Sequence, residues 1–241
     1  ALPQDDPYTL QNLGDIITLG GVGEFSAIDL PKVLAGKKVN VYPSIYTYSE
    51  AMNGSCSPKD LETMMQLIHL YFTAPRADQE VFQSTMERTK AMLKNMELNP
   101  NLTLSDSITK VLYNNHPLRL RMNVEDYDKV DYAKAMEMYK DRFADPNNFT
   151  FIFVGNIDVE TFKPLVEQYL ASLKKKNRKE NWKDVGLGVA EGSYTTHYRK
   201  EMQDPKTSVY MIYTGDMEYN LYNNIYMGIL SDVLDIVYTK S

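Results

Sequence analysis

Residues 149–158 read Phe149-Thr150-Phe151-Ile152-Phe153-Val154-Gly155-Asn156-Ile157-Asp158. An unbroken run of aromatic and β-branched residues closed by Gly-Asn predicts a short, buried central strand. Asp158 then caps a helix predicted to reach Leu173. Working outward, Val39 to Met52 is rich in Val, Tyr, Ile and Thr and also predicts strand, with a break or edge at Pro43-Ser44 and a turn at Asn53-Gly54. Apolar residues at helical spacing fill the intervals. They predict helices over Tyr8–Leu19, Ser26–Lys37, Pro58–Phe72, Asp78 to about Asn95, Ser105–Tyr113 and Val130–Phe143. Ser57 before Pro58 and Asp78 before Gln79 are N-cap signals. Strands separated by several helices define the expected class: α+β, an antiparallel or mixed sheet covered by helices mainly on one face.

The C-terminal part reads differently. Residues 174–183 carry a dense basic run, followed by Gly186 and Gly188. We read 1–175 as the first domain, 176–189 as a solvated linker, and 190–241 as the opening of a second, similar domain. Two strands are predicted there, Thr195–Glu201 and Thr207–Thr214, then a helix from Leu221 to Tyr238. A β-β-α piece of this size is small for a complete core, so the chain is expected to be cut inside that domain. Leu221, Ile225, Ile229, Val233 and Ile236 form one apolar stripe that needs a partner surface. Self-association through residues 207–241 is the expected consequence.

Composition removes several function classes. The chain has 241 residues with a formal net charge of −6, which argues against an extended nucleic-acid surface. No apolar run is long enough to span a membrane. One cysteine, Cys56, excludes an intramolecular disulfide framework and a cysteine-based zinc cluster. A chain that opens on Ala1 leaves its compartment unread at that end.

Catalytic motifs are scarce. There is no phosphate-binding G-x-x-x-x-G-K-[ST] loop and no G-x-S-x-G nucleophile elbow. Gly20-Gly21-Val22-Gly23 follows a helix rather than a strand, so it reads as a helix stop instead of a dinucleotide loop. The three histidines lie apart. His69 has Met65 and Thr73 one helical turn away and no second ligand on its face. His116, before Pro117, is placed to meet the C-terminal carbonyls of the preceding helix. His197 lies on a predicted strand. Cys56 precedes a helix start, where a thiol pKa can fall, but has no general base in view and reads as a small buried residue. Asn53, Asn101 and Asn148 each open an Asn-x-Ser/Thr tripeptide, which matters only in a glycosylating pathway. By themselves the residues name no catalytic, cofactor-binding or metal-binding side chain.

The order of short motifs says more. It runs from Asn53-Gly54-Ser55-Cys56-Ser57-Pro58-Lys59-Asp60-Leu61-Glu62 into a helix, then Tyr71-Phe72-Thr73-Ala74-Pro75-Arg76-Ala77-Asp78 with Phe82. Next come Leu112-Tyr113-Asn114-Asn115-His116-Pro117, then Tyr139, Arg142-Phe143, Asp145, Phe149-Thr150-Phe151 and Val154-Gly155-Asn156 with Asp158. Glu167, Tyr169-Leu170 and Ser172-Leu173 close the series. In this order the sequence resembles the non-catalytic repeat of the pitrilysin/insulinase (M16) family of zinc peptidases, as found in the second half of long bacterial members.

The resemblance implies a role and a gap. Active repeats of the family carry H-x-x-E-H on a helix, two histidines and a later glutamate binding zinc while the motif's glutamate activates water. The corresponding stretch here, Leu10 to Gly20, contains neither histidine nor glutamate. Neutral imidazoles and a carboxylate base are what that chemistry needs. The resemblance therefore implies no zinc and no other cofactor in this chain, with zinc in an N-terminal half outside it. It implies half of a clamshell metallopeptidase that helps to enclose peptide substrate, its partners being that N-terminal half and the peptide. The alternative is a non-enzymatic scaffold or binding subunit of the same fold that pairs with an active partner. The bacterial periplasm or cell envelope is the expected location, with the cytoplasm as the other choice.

Overall fold

In the computed structural model, residues 5–97, 99–178, 180–201 and 206–239 are described. The chain forms two compact units, Ala1–Gly188 and Val189–Ser241. The first holds α1 (Pro7–Ile16), α2 (Asp29–Val33), β1 (Val39–Ile45), β2 (Glu50–Cys56), α3 (Leu61–Thr73), α4 (Gln79–Met96), α5 (Pro100–Leu112), α6 (Tyr132–Arg142) and α7 (Val159–Tyr169). The second holds α8 (Leu221–Thr239). The class is α+β, as the sequence predicts.

Local chemistry places the helix starts. The Asp78 carboxylate accepts from the Val81 N–H, that of Asp131 from Lys134, and that of Asp158 from Glu160. Asn99-Pro100 both ends α4 and starts α5: Asn99 Oδ1 accepts from the Asn101 N–H, and Pro100 takes the first helical position, where its missing N–H costs nothing. α5 therefore begins five residues before the predicted Ser105.

Two apolar clusters hold the first unit. One joins α1, α4 and α6 through Leu13, Ile16, Phe82, Met86, Tyr132, Ala135, Tyr139 and Phe143. Phe82 and Tyr132 stack with ring centroids 4.6 Å apart. The other joins β1, α3 and α7 through Val41, Met64, Met65, Ile68, Leu170 and Leu173. Phe72 bridges them, packed against both.

The sheet departs from expectation. Among the described residues it has two strands, β1 and β2, paired antiparallel from Val39↔Cys56 to Ile45↔Glu50. Asn53-Gly54 is not a turn. It lies inside β2, with Gly54 opposite Val41, and the chain reverses at Tyr46–Ser49 instead. A Cβ on Gly54 would make van der Waals contact, at 3.4 Å, with the Asn40 carbonyl oxygen, Val41 Cγ2 and Met64 Sδ.

Phe149–Val154 does not form the predicted central strand; it is an unpaired segment. Its aromatic side chains account for this. Phe149 packs edge-on to Phe72 at 5.1 Å and lies 5.2 Å from Phe143, while Phe151 lies 6.0 Å from Phe72. The run is held by its rings, and Ile152 and Val154 are left 79% and 93% exposed. Residues 195–201 and 207–214 likewise form no ladder among their described residues, and Val209, Tyr210, Met211 and Tyr213 are exposed. A period-2 pattern makes a strand only where one face has something to bury against.

Candidate functional site

A groove of about 450 Å³ lies beside β2 in the first unit. Its walls are the outer side of β2, the start of α3 with Leu61, Met64 and Ile68, and the segment 148–157. β1 occupies one edge of β2, so the groove borders the edge without a strand partner in the two-stranded sheet. Such an edge presents N–H and C=O groups to whatever enters.

Two groups in the groove could do chemistry, and neither is poised for it. Glu50 Oε1 is engaged by Arg142 Nε at 2.5 Å. The Cys56 thiol is half-buried, and burial pushes its pKa up, with the Asp60 charge adding to the effect. That is opposite to the lowered pKa a helix start could have given it. Asp60 itself is held below the usual carboxylate range by the Ser57 hydroxyl and the Lys38 N–H. The arrangement offers apolar contact and backbone hydrogen bonding rather than a nucleophile with its base.

The histidines are brought to separate places. His69 Nδ1 lies 2.8 Å from the Tyr169 carbonyl oxygen and fastens α3 to α7. The Tyr169 hydroxyl accepts from Gln66 and donates to Glu62, completing that seam. His116 does not cap the preceding helix with its ring as predicted. Its Nδ1 accepts from the Leu118 N–H, so the proton sits on Nε2, which donates to the Val185 carbonyl at 3.1 Å. His197 is exposed.

Zinc requires three or four N, O or S donors converging on one point. Among the described residues no three His, Cys, Asp or Glu side chains converge in this way. Two of the three imidazoles are already bonded to backbone carbonyls. The side chains of the described residues do not fit the ion.

A second constellation was not foreseen. Arg142, at the end of α6 and 9% exposed, holds Glu50 of β2 and also pairs with Glu180. Arg178 pairs with Asp141 at 2.6 Å and with Glu180 at 2.5 Å. The buried Asp145 carboxylate accepts from the Arg178 N–H at 2.7 Å, a bond that, with further backbone donors, holds its pKa below the usual range. Burial opposes the Glu180 charge, but Arg142 and Arg178 outweigh it and keep that carboxyl low as well. Of the run read as solvated, Arg178 and Glu180 are bonded to the first unit, while Lys174, Lys175, Lys176 and Lys183 are exposed. Alternating charge at Arg178 and Glu180 was the available signal, but their partners lie 37 and 38 residues away in sequence.

The fold is a helix-rich α+β unit, and among its described residues no metal-binding cluster of side chains converges. Residues 129–235 match the peptidase M16 inactive domain. The probable zinc protease PqqL of Haemophilus influenzae is 20% identical over 234 residues, 97% of this chain and 25% of that protein. The chain thus spans about a quarter of the length of this curated relative. The crystal structure of the periplasmic protease PqqL from Escherichia coli is similar with a TM-score of 0.63 at 21% identity, covering 78% of this chain and 21% of that one. A mutant of the ferredoxin protease FusC, in complex with Arabidopsis ferredoxin, gives a TM-score of 0.61 at 16% identity, over 77% and 20% of the two chains. At these identities the structural likeness carries the fold. The resemblance read from the motif series is borne out.

Proposed function

We propose that this chain is the non-catalytic half of a clamshell zinc metallopeptidase and helps to enclose peptide substrate. The observation that carries the proposal is the match of residues 129–235 to the inactive domain of the M16 peptidases. The groove beside β2 supports it, because a free strand edge flanked by apolar side chains suits an extended peptide. The zinc-bearing half would lie in a portion of the same protein outside these residues. The description of the Escherichia coli PqqL structure as a periplasmic protease supports a periplasmic location for this chain too.

The purified chain should hydrolyse no peptide and hold no stoichiometric zinc. Metal analysis with a mixed fluorogenic peptide set checks this. One zinc per chain, lost on substitution of His69 or His116, would overturn it.

The α8 helix bears on partners. Leu221, Ile225, Ile229, Val233 and Ile236 are 70%, 49%, 53%, 49% and 52% exposed. Among the described residues of this helix none is buried. A helix that displays its whole apolar stripe promotes association. Sedimentation should show the chain self-associating through residues 207–241 as its concentration rises. A strict monomer with an ordered, solvent-exposed α8 would contradict this.

A further inference from the structure

The groove beside β2 is bounded by two stretches of backbone that lack partners. On one side is the outer edge of β2, Glu50–Cys56, whose other edge is taken by β1. On the other is the segment 150–154, whose N–H and C=O groups make no backbone hydrogen bond among the described residues. Leu61, Met64 and Ile68 of α3 add apolar surface. Among the lining residues Glu50 alone is charged, and Arg142 already neutralises it. A slot of this kind suits one extended, uncharged segment. A strand laid in it gives partners to unpaired backbone while burying its own apolar side chains.

Residues 207–214, Thr207-Ser208-Val209-Tyr210-Met211-Ile212-Tyr213-Thr214, have the matching properties. They carry no charge, no proline and no glycine, and they are rich in β-branched and aromatic side chains. They form no ladder, and Val209, Tyr210, Met211, Ile212 and Tyr213 are all exposed. As a strand, these eight residues would span about 26 Å, against about 23 Å for the seven of β2. Alternation puts Val209, Met211 and Tyr213 on one face of such a strand and Tyr210 and Ile212 on the other.

We propose that the groove is the acceptor for residues 207–214 of a second copy of this chain, which enter as a strand alongside β2. Main-chain hydrogen bonds supply the hold and apolar side chains the fit. The pairing gives the self-association expected of residues 207–241 a specific seat. It uses backbone edges and no zinc-bearing half, so it stands or falls apart from the peptidase reading. A groove so filled is closed to any other peptide.

Cys56 reads the groove directly, because it lines the groove and is the one cysteine of the chain. Its alkylation by iodoacetamide in the full chain is timed over a dilution series, with sedimentation run in parallel. The rate should fall several-fold as the chain associates. Met211→Lys combined with Ile212→Lys should hold Cys56 at its dilute rate at every concentration, because a charge on either face finds no partner in the groove. With the wild-type chain kept dilute, an excess of a synthetic peptide of residues 207–214 should slow alkylation. The same peptide N-methylated at alternate amides should not, since it cannot complete the ladder. A Cys56 rate that does not change with concentration would overturn the proposal. Equal protection by a scrambled peptide of the same composition would assign the groove to extended peptides in general and overturn 207–214 as its occupant. The peptide measurements use the wild-type chain, so they decide the matter even if the double variant folds poorly.

Discussion

Substituting alanine for Gly20 should destabilise the first unit by about 3 kcal/mol or more. A Cβ on Gly20 would stand 2.1 Å from the Arg76 carbonyl oxygen and 2.7 Å from its carbon. Both obstacles are backbone, so no rotamer change relieves them. The clash would force apart the Gly20–Gly23 turn and the Ala74–Ala77 segment, which are joined by the Gly23 N–H to Ala74 carbonyl bond at 2.8 Å. Val22, fully buried between these segments, would lose its packing as well. Chemical denaturation checks the outcome: a midpoint equal to wild type would show that the two segments do not meet as described. Gly20-Gly21-Val22-Gly23 reads in sequence as a helix stop. Its greater importance, close backbone approach at Gly20 and a φ of +89° at Gly21, belongs to the tertiary structure.

The second large effect is expected at Tyr139. The ring is 1% exposed, lies 4.7 Å from the Phe143 centroid, and its hydroxyl donates to the Tyr71 carbonyl at 2.6 Å. Burial pushes the phenol pKa well above its ordinary value, so the group is a permanent donor at any working pH. Tyr139→Ala should cost about 4 kcal/mol, combining lost apolar transfer with the cavity left behind. Tyr139→Phe should cost only about 1–2 kcal/mol, the penalty of leaving a buried carbonyl unpaired. Equal losses for the two variants would mean that the hydroxyl, not the ring, supports α6 on α3.

Helices were the legible part of this fold, for a local reason. Asp78, Asp131 and Asp158 satisfy the first free N–H groups of their helices within two or three residues, and such signals need no tertiary partner. Strands were less legible because they need one. Phe149–Val154 has strand composition, yet its rings find Phe72 and Phe143 before its backbone finds a ladder. Asn53-Gly54 has turn composition, yet it lies inside β2, paired with Tyr42 and Val41 of β1. The groove was invisible in sequence because residues 50–56 and 148–157 meet only in three dimensions. The charged knot escaped notice for the same reason, with Glu50 standing 92 residues from Arg142. The family relationship was recoverable despite this, since it rests on the order of short motifs and not on where each one folds.

The groove holds few reactive groups. Glu50 is committed to Arg142, and the Cys56 thiol is kept protonated by burial. What remains is the free edge of β2 with apolar side chains beside it.

Reconstitution tests the central claim most directly: the zinc-bearing half of the same protein is assayed for peptide hydrolysis alone, then with this chain added. The proposed role predicts that this chain alone gives no turnover, that the zinc-bearing half alone is weak, and that mixing them restores hydrolysis at stoichiometric ratio. Turnover by this chain alone, abolished by a chelator, would contradict it, as would a zinc-bearing half whose rate is unchanged by the addition.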